Sequence, residues 1–418
     1  MKRTLVLGAG LVSRPMVSYL LSLPDFEVWV GTRTVAKAEE LVGRHPRGKA
    51  IPLLVDDEAV LDRFVAQTDI VVSLLPYTYH VKVAGLCLKH RRPLVTTSYV
   101  SDAMRRLDQE ARAAGVLLLN EIGLDPGIDH MSAMRVIHLV QQAGGRVTSF
   151  MSYCGGLPAP EANDNPLGYK FSWSPKGVVM AGRNDARYLK DGKEVFVPGN
   201  ALFGHRWPLK VADGYEFEAY PNRNSLPYIE LYGLTGISTM LRGTLRNFGW
   251  CETMKAIADL GILKDETVRT GLANMTYAQW FSEYAEGRGG AARKLGLPEE
   301  DAVLERLAWL GLFDNRPIGI DQGSNLDILA RAMLEKMAYK PGERDMIVLH
   351  HEFVAEYPDR PREKLYSTLI DFGVPNGDSA MARTVSLPAA IAVRMILEGR
   401  LNLTGVHIPV LPEIYEPV

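Results

Sequence analysis

Cysteine is scarce in this chain. The three cysteines, Cys87, Cys154 and Cys251, stand far apart with no C-x-x-C or Cys/His spacing, which excludes a disulfide framework and a structural zinc site of ordinary spacing. A reduced, cytoplasmic setting is the expectation. Charge of one sign is not in excess either: 47 Lys+Arg against 49 Asp+Glu leave a formal net charge of -2. No polybasic surface exists to draw a nucleic-acid backbone, so nucleic acid is not an expected partner. Long hydrophobic runs are missing as well. No stretch of about 18 uninterrupted apolar residues occurs, and the apolar run after Met1-Lys2-Arg3 breaks at Gly8, so neither a membrane span nor a signal h-region is expected.

What is present is ordinary globular material. The 418 residues are 47% apolar and 23% charged, enough at roughly 150 residues per domain for two or three domains with buried cores. Up to about residue 125, short apolar runs alternate with amphipathic stretches, the mark of parallel βαβ units. Strands are expected at Thr4 to Leu7, Val28 to Val30, Ile51 to Val55, Ile70 to Leu75, Leu94 to Thr96 and Val116 to Leu119, and a helix at Ser101 to Ala114 that stops at Gly115. After Gly127 the texture becomes α+β: a helix from Ile128 to Gln142, a strand from Val147 to Cys154, a Gly/Pro-rich loop and a hairpin at Asp191-Gly192. Residues 251 to 337 read as helical, with Leu304, Leu307, Ala308 and Leu312 on one face. The turn Pro358-Asp359-Arg360-Pro361 separates two late strands, and a final helix from Ser379 to Leu397, interrupted at Pro388, can return to the first domain. The fold class is therefore α/β: a Rossmann-type parallel-sheet domain (1–125 and about 379–418), an α+β substrate-binding domain (126–250 and about 338–378) and a helical insert (251–337).

Gly8-Ala9-Gly10-Leu11-Val12-Ser13-Arg14-Pro15 follows the first strand and opens a helix, so the N–H groups of that turn can receive a pyrophosphate. Ser13 replaces the third glycine of the dinucleotide fingerprint. The second strand ends Thr32-Arg33-Thr34, where an NAD enzyme would place an acid. A cation with two hydroxyls suits a 2′-phosphate, and NADP(H) is the expected cofactor, a solvated surface arginine being the bland alternative. Asp56-Asp57 can meet the adenine or simply cap the next helix. Leu75-Pro76 and Thr97-Ser98-Tyr99 close the fourth and fifth strands, at the carboxyl ends where open α/β sheets bind ligands. The phenol of Tyr99 there can exchange a proton.

The sixth strand runs into Asn120-Glu121-Ile122-Gly123-Leu124-Asp125-Pro126-Gly127-Ile128-Asp129-His130, a domain junction of the kind that forms clefts. Its structural reading is a turn with Asp125 as cap and Pro126 opening the helix. A metal bound by Asp125, Asp129 and His130 lacks a second ligand cluster, so no metal is expected. The pair His350-His351 would face opposite ways in a strand, with surface placement the default. Cys154 is either a small buried hydrophobe or a polarised group. Arg223, Arg242 and Arg246 sit in apolar, turn-bounded surroundings, and such arginines suit planar recognition of carboxylates.

The strings Asn120 to His130, Ser152 to Glu161, Tyr169-Lys170-Phe171-Ser172-Trp173-Ser174, Tyr220-Pro221-Asn222-Arg223 and Arg242-Gly243-Thr244-Leu245-Arg246 closely resemble the glutamate-forming saccharopine dehydrogenases, and the similarity covers nearly the whole chain. The resemblance implies NADP-linked oxidation of saccharopine to L-glutamate and 2-aminoadipate 6-semialdehyde. It implies cofactor contacts at Gly10, Leu11, Val12, Thr32, Arg33, Thr34, Leu75 and Pro76, to which the strand-end positions of Gly8, Asp56 and Thr97 add three further candidates. Substrate contacts carry over to Ser98, Tyr99, Asp125, Arg223, Thr244, Leu245 and Arg246, and proton-transfer roles to Tyr99, Asp125 and Cys154. A carboxyspermidine-type reductase and a non-catalytic dinucleotide sensor are the competing readings. A homodimer is the default oligomeric expectation.

Overall fold

The computed structural model describes residues 1–264 and 267–418. The chain divides into two compact units, Met1–Ala143 with Asp378–Val418, and Gly144–Gly377.

The first unit is built on a parallel sheet. Strands β1 (Lys2–Leu7), β2 (Phe26–Thr32), β3 (Gly48–Pro52), β4 (Ile70–Ser73), β5 (Leu94–Thr96) and β6 (Leu117–Leu119) join the C-terminal strand Gly405–His407 in the order Gly405–His407, β6, β5, β4, β1, β2, β3. Both faces of this sheet are covered, which is why its strands read as unbroken apolar runs. The period-two alternation divides them between two cores. Val6, Val28, Val30, Val72 and Val95 pack with Met16, Val17 and Leu20 of helix Arg14–Ser22 and with Ala389, Ala390 and Val393. Leu5, Leu7, Trp29, Val71 and Leu94 pack on the other face with Leu61, Val65, Val83, Ala84 and Cys87. Each of these Val, Leu and Met side chains, once fully buried, contributes about 1.5–3 kcal/mol. Helix Ala380–Leu397, of mean hydropathy 1.4, is long and apolar enough to cross a bilayer, and its apolar face lies in the first of these cores.

Three expectations need correction in this unit. Helix Ile128–Gln142 belongs here rather than to the second unit, because it packs against the chain's end, where Tyr415 Oη lies 2.8 Å from His138 Nδ1. The helix expected over Ser101 to Ala114 is two, Asp102–Arg105 and Asp108–Ala114. Ser101 caps the first through Met104 N, and Gly115 at φ 68° ends the second. Finally, Pro126 does not open a helix. The Asp125–Pro126 peptide is cis, and the helix begins at Ile128, after Gly127 at φ 149°, a conformation open to glycine.

The second unit carries a mixed sheet. Its strands are β7 (Arg146–Pro158), β8 (Ala186–Lys190), β9 (Lys193–Val197), β10 (Trp207–Ala212), β11 (Tyr215–Pro221) and β12 (Thr239–Arg246), followed by the short pair β13 (Arg269–Thr270) and β14 (Gln322–Gly323), then β15 (Asp345–Glu356) and β16 (Glu363–Phe372). The main order is β10, β11, β12, β7, β15, β16, with β7 and β12 parallel, while β13 and β14 pair separately. The hairpin at Asp191-Gly192 turns with both residues at positive φ, as tight two-residue turns require.

The stretch Gly155 to Pro158, expected as loop, continues β7. A Cβ on Gly155 would lie 2.9 Å from the Leu245 backbone oxygen, so glycine here permits close strand approach. Among the described residues, 251–264 and 267–337 form no core of their own. Trp280, Leu304, Leu307 and Met333 share one cluster with Tyr153, Tyr169, Leu245 and Trp250 of the sheet region. His350 and His351 are both buried, against the surface expectation. β15 lies between β7 and β16 with both faces covered; His350 Nδ1 meets Thr368 Oγ1 at 2.8 Å, while His351 packs on Phe150 and Phe353.

Candidate active site

In the first unit the predicted cofactor residues line the carboxyl end of the sheet. The turn after β1 is held from inside: Gly10 N donates to Ser13 Oγ at 3.1 Å, and Ser13 Oγ donates to Gly8 O at 3.2 Å. Ser13, buried, thus does by hydrogen bonding what the third glycine does by compactness. Gly8 sits at φ 111°, and a Cβ there would come within 3.1 Å of Leu74 O. The turn leads directly into helix Arg14–Ser22, with Pro15 in its first turn where no N–H is needed. Arg33 is exposed and has no ion pair or hydrogen bond among the described residues. Asp57 caps the helix Glu58–Ala66 by accepting from Val60 N, leaving Asp56 exposed beside it. Three exposed apolar side chains, Leu11, Leu54 and Tyr77, follow the ends of β1, β3 and β4.

The ends of β4 and β5 are tied together by a buried histidine. His80 Nδ1 meets Ser73 Oγ at 2.9 Å, and its Nε2 meets Ser98 Oγ at 2.8 Å and Thr96 Oγ1 at 3.2 Å. Burial pushes His80 down to about 4, so the ring is neutral at working pH. Thr97 adjoins this knot, against Gly123. Next to it, Tyr99 Oη donates to Asp125 Oδ1 at 2.8 Å. Two residues 26 positions apart, both singled out in the sequence, thus form one proton-sharing pair. In the same loop, His130 Nε2 lies 2.8 Å from Glu121 Oε2, and Asp129 Oδ1 accepts from Gly127 N at 2.5 Å. Among the described residues no group of three or more His, Cys, Asp or Glu is arranged to hold a metal ion.

In the second unit, the β7–β12 register pairs Cys154 with Thr244, and the β11–β12 register pairs Glu218 with Arg246. Cys154 is buried. Arg246 is only 6% exposed. Its guanidinium lies 5.0 Å from the Tyr169 ring centroid and 5.6 Å from that of Trp250, its Nη1 donates to Leu245 O, and its Nε has no partner among the described residues. Glu218, opposite in the ladder, is engaged elsewhere: it pairs with Arg206 Nε at 2.9 Å and accepts from Cys251 N at 3.1 Å. Burial raises the Tyr220 phenol to about 12, against the pull of Arg246. Arg223 is exposed, at φ 54° on a turn whose carbonyl accepts from Arg187 N.

Against known proteins, residues 4–119 match the saccharopine dehydrogenase NADP binding domain and residues 123–418 the saccharopine dehydrogenase C-terminal domain. The chain belongs to the saccharopine dehydrogenase family. It is 41% identical to the saccharopine dehydrogenase [NADP(+), L-glutamate-forming] of Saccharomyces cerevisiae, over 100% of this chain and 96% of that relative. The apo structure of the L-Glu-forming saccharopine dehydrogenase from the same yeast matches with a TM-score of 0.88 at 41% identity, covering 100% of this chain and 96% of that one. The mitochondrial alpha-aminoadipic semialdehyde synthase of Mus musculus is 37% identical over 100% of this chain and 46% of the mouse protein.

In this member of the saccharopine dehydrogenase family, three buried side chains beside the expected site residues carry no signal in the sequence. His80 follows the fourth strand by seven positions in no motif, Glu121 lies inside the Asn120 to His130 string with nothing to mark it from its neighbours, and Arg242, with its guanidinium 4.4 Å from the Tyr228 ring centroid, is one arginine among several.

Proposed function

We propose that this chain uses NADP to oxidise saccharopine, releasing L-glutamate and 2-aminoadipate 6-semialdehyde. The observation that carries the reading is Arg246, a buried guanidinium with no protein carboxylate in ion-pair range among the described residues. A substrate bearing several carboxylates supplies the missing charge, and the planar fork fixes its orientation. The Ser13-braced turn, the exposed Arg33 and the hydroxyls of Thr32 and Thr34 fit the pyrophosphate and 2′-phosphate of NADP. When bound, the nicotinamide accepts the hydride that leaves the substrate carbon next to the bridging nitrogen.

The chain's own residues manage the protons. To Asp125, which accepts the hydrogen bond from Tyr99, we assign the proton taken from the secondary amine before oxidation. Loss of the hydride leaves a C=N bond, to which water adds. The second transfer, which protonates the departing glutamate nitrogen as the carbinolamine becomes an aldehyde, we assign to Tyr99 with its phenolic proton. Ser98, steadied by His80, and Thr244, beside Cys154 in the ladder, donate to substrate oxygens, with Arg223 as a second cation.

Purified protein given saccharopine and NADP should generate NADPH, followed by its ultraviolet absorbance, with glutamate and the semialdehyde in equal amounts. Absence of NADPH with saccharopine, or NADPH consumption with a polyamine precursor instead, would remove the reading.

A further inference from the structure

The mechanism leaves one buried network unused. Glu121 is 4% exposed and holds φ 57°, a left-handed conformation that a non-glycine residue adopts at a cost. From that position it touches the backbone on both sides of Tyr99. Its N–H donates to Ser98 O at 3.1 Å, and its Oε1 accepts from Val100 N at 2.9 Å. Its other oxygen, Oε2, meets the fully buried His130 Nε2 at 2.8 Å. His130 Nδ1 in turn lies 3.6 Å from Asp129 Oδ2, and Asp129 Oδ1 accepts from Gly127 N, two residues beyond Asp125. The chain of contacts therefore begins at the peptides flanking Tyr99 and ends on the loop that carries Asp125.

We propose that Glu121 and His130 form a brace that sets the separation and alignment of the Tyr99–Asp125 pair, making them positioning residues for proton transfer. The brace spans two loops that β5 and β6 deliver side by side, and it is the strained backbone of Glu121 that turns its carboxylate back toward Val100. Strain of this kind persists where surrounding contacts over-determine it. Neither residue needs to meet the substrate for the brace to act.

This inference rests on the assignment of Tyr99 and Asp125 as the proton-transfer pair, and a double-mutant cycle separates the two. Misplacing a reacting group by about 1 Å costs on the order of a hundredfold in rate. Glu121→Ala should lower kcat by about that factor, with KM for saccharopine and for NADP little changed; Glu121→Gln, which still accepts from Val100 N, should lose about tenfold or less. In a Tyr99→Phe background, which has already lost the bond being aligned, Glu121→Ala should cost no more than about threefold further. His130→Gln, whose amide can still donate to Glu121 Oε2 while altering the length of the brace, is carried through the same cycle in case Glu121→Ala does not fold. Equal losses in both backgrounds, or losses confined to KM and thermal stability, overturn the brace. A Tyr99→Phe enzyme with parental kcat overturns the assignment on which the brace depends.

Discussion

Lys170 and Arg246 are both buried cations of the second unit, and the protein treats them in opposite ways. Lys170, 1% exposed, holds Asp164 Oδ1 and Glu343 Oε2 at 2.7 Å each. Arg246 is met by aromatic faces and a backbone carbonyl, and the carboxylate facing it across the ladder has been given to Arg206. A buried charge without a counter-ion costs several kcal/mol, of which desolvated aromatic rings return about 2 kcal/mol. The difference teaches what each cation is for. Lys170 fastens the loop before it to the segment ahead of β15, whereas Arg246 carries a deficit that a bound carboxylate can fill.

The largest expected effect follows from that deficit. Arg246→Met should lower kcat/KM for saccharopine by about 3–5 kcal/mol, roughly a hundredfold to several thousandfold, while melting at the same temperature or higher, since the uncompensated charge is gone. Steady-state kinetics paired with thermal denaturation read both halves. A variant that melts lower and turns over normally would erase the contrast with Lys170.

Next in size is the proton-transfer pair. Tyr99→Phe should reduce kcat by about a hundredfold, within the range of general acid–base contributions, and leave the KM for NADP in place.

Lys170→Met is the mirror of the arginine change. It should cost about 2 kcal/mol of stability, less than a fully buried pair because Asp164 is partly exposed, and leave kcat and KM near parental at a temperature where the variant is folded. Acid sharpens this test. Hydrogen bonds from Lys170 and Lys340 hold Asp164 down to about 2. A carboxyl depressed in the folded state stabilises above its unfolded value, about 3.9, and that contribution is lost as the pH falls through about 2. The stability gap between parent and Lys170→Met should therefore be widest near neutrality and narrow through that window, as denaturant melts at stepped pH would record.

The smallest effect is expected at the cofactor end. Arg33→Asp should shift the NADP-to-NAD preference by about tenfold or more, visible as the ratio of kcat/KM with the two cofactors.

How much of this was legible beforehand differs by residue for physical reasons. The first unit's strands announced themselves because a sheet covered on both faces needs unbroken apolar runs, and Leu5 to Leu7 or Ile70 to Val72 can hardly be anything else. The turn from β1 into helix Arg14–Ser22 was readable too, since Gly8 and Gly10 follow β1 immediately. The Tyr99–Asp125 bond was not: each residue was flagged, yet only the fold brings a phenol and a carboxylate 26 positions apart within 2.8 Å. His350 and His351 show another limit. Alternation says they face opposite ways, but not that both faces of their strand are covered. The unpaired state of Arg246 was out of reach as well, because it depends on which neighbour Glu218 chooses. The boundary near residue 125 was misplaced because helix Ile128–Gln142 is anchored by a residue, Tyr415, from the far end of the chain.

A crystal structure of the enzyme with NADPH and saccharopine tests the central claim most directly. The account predicts a saccharopine carboxylate within hydrogen-bonding distance of the Arg246 guanidinium, its Nε included. Saccharopine bound elsewhere, or Arg246 swung onto a carboxylate of the protein itself, would contradict it.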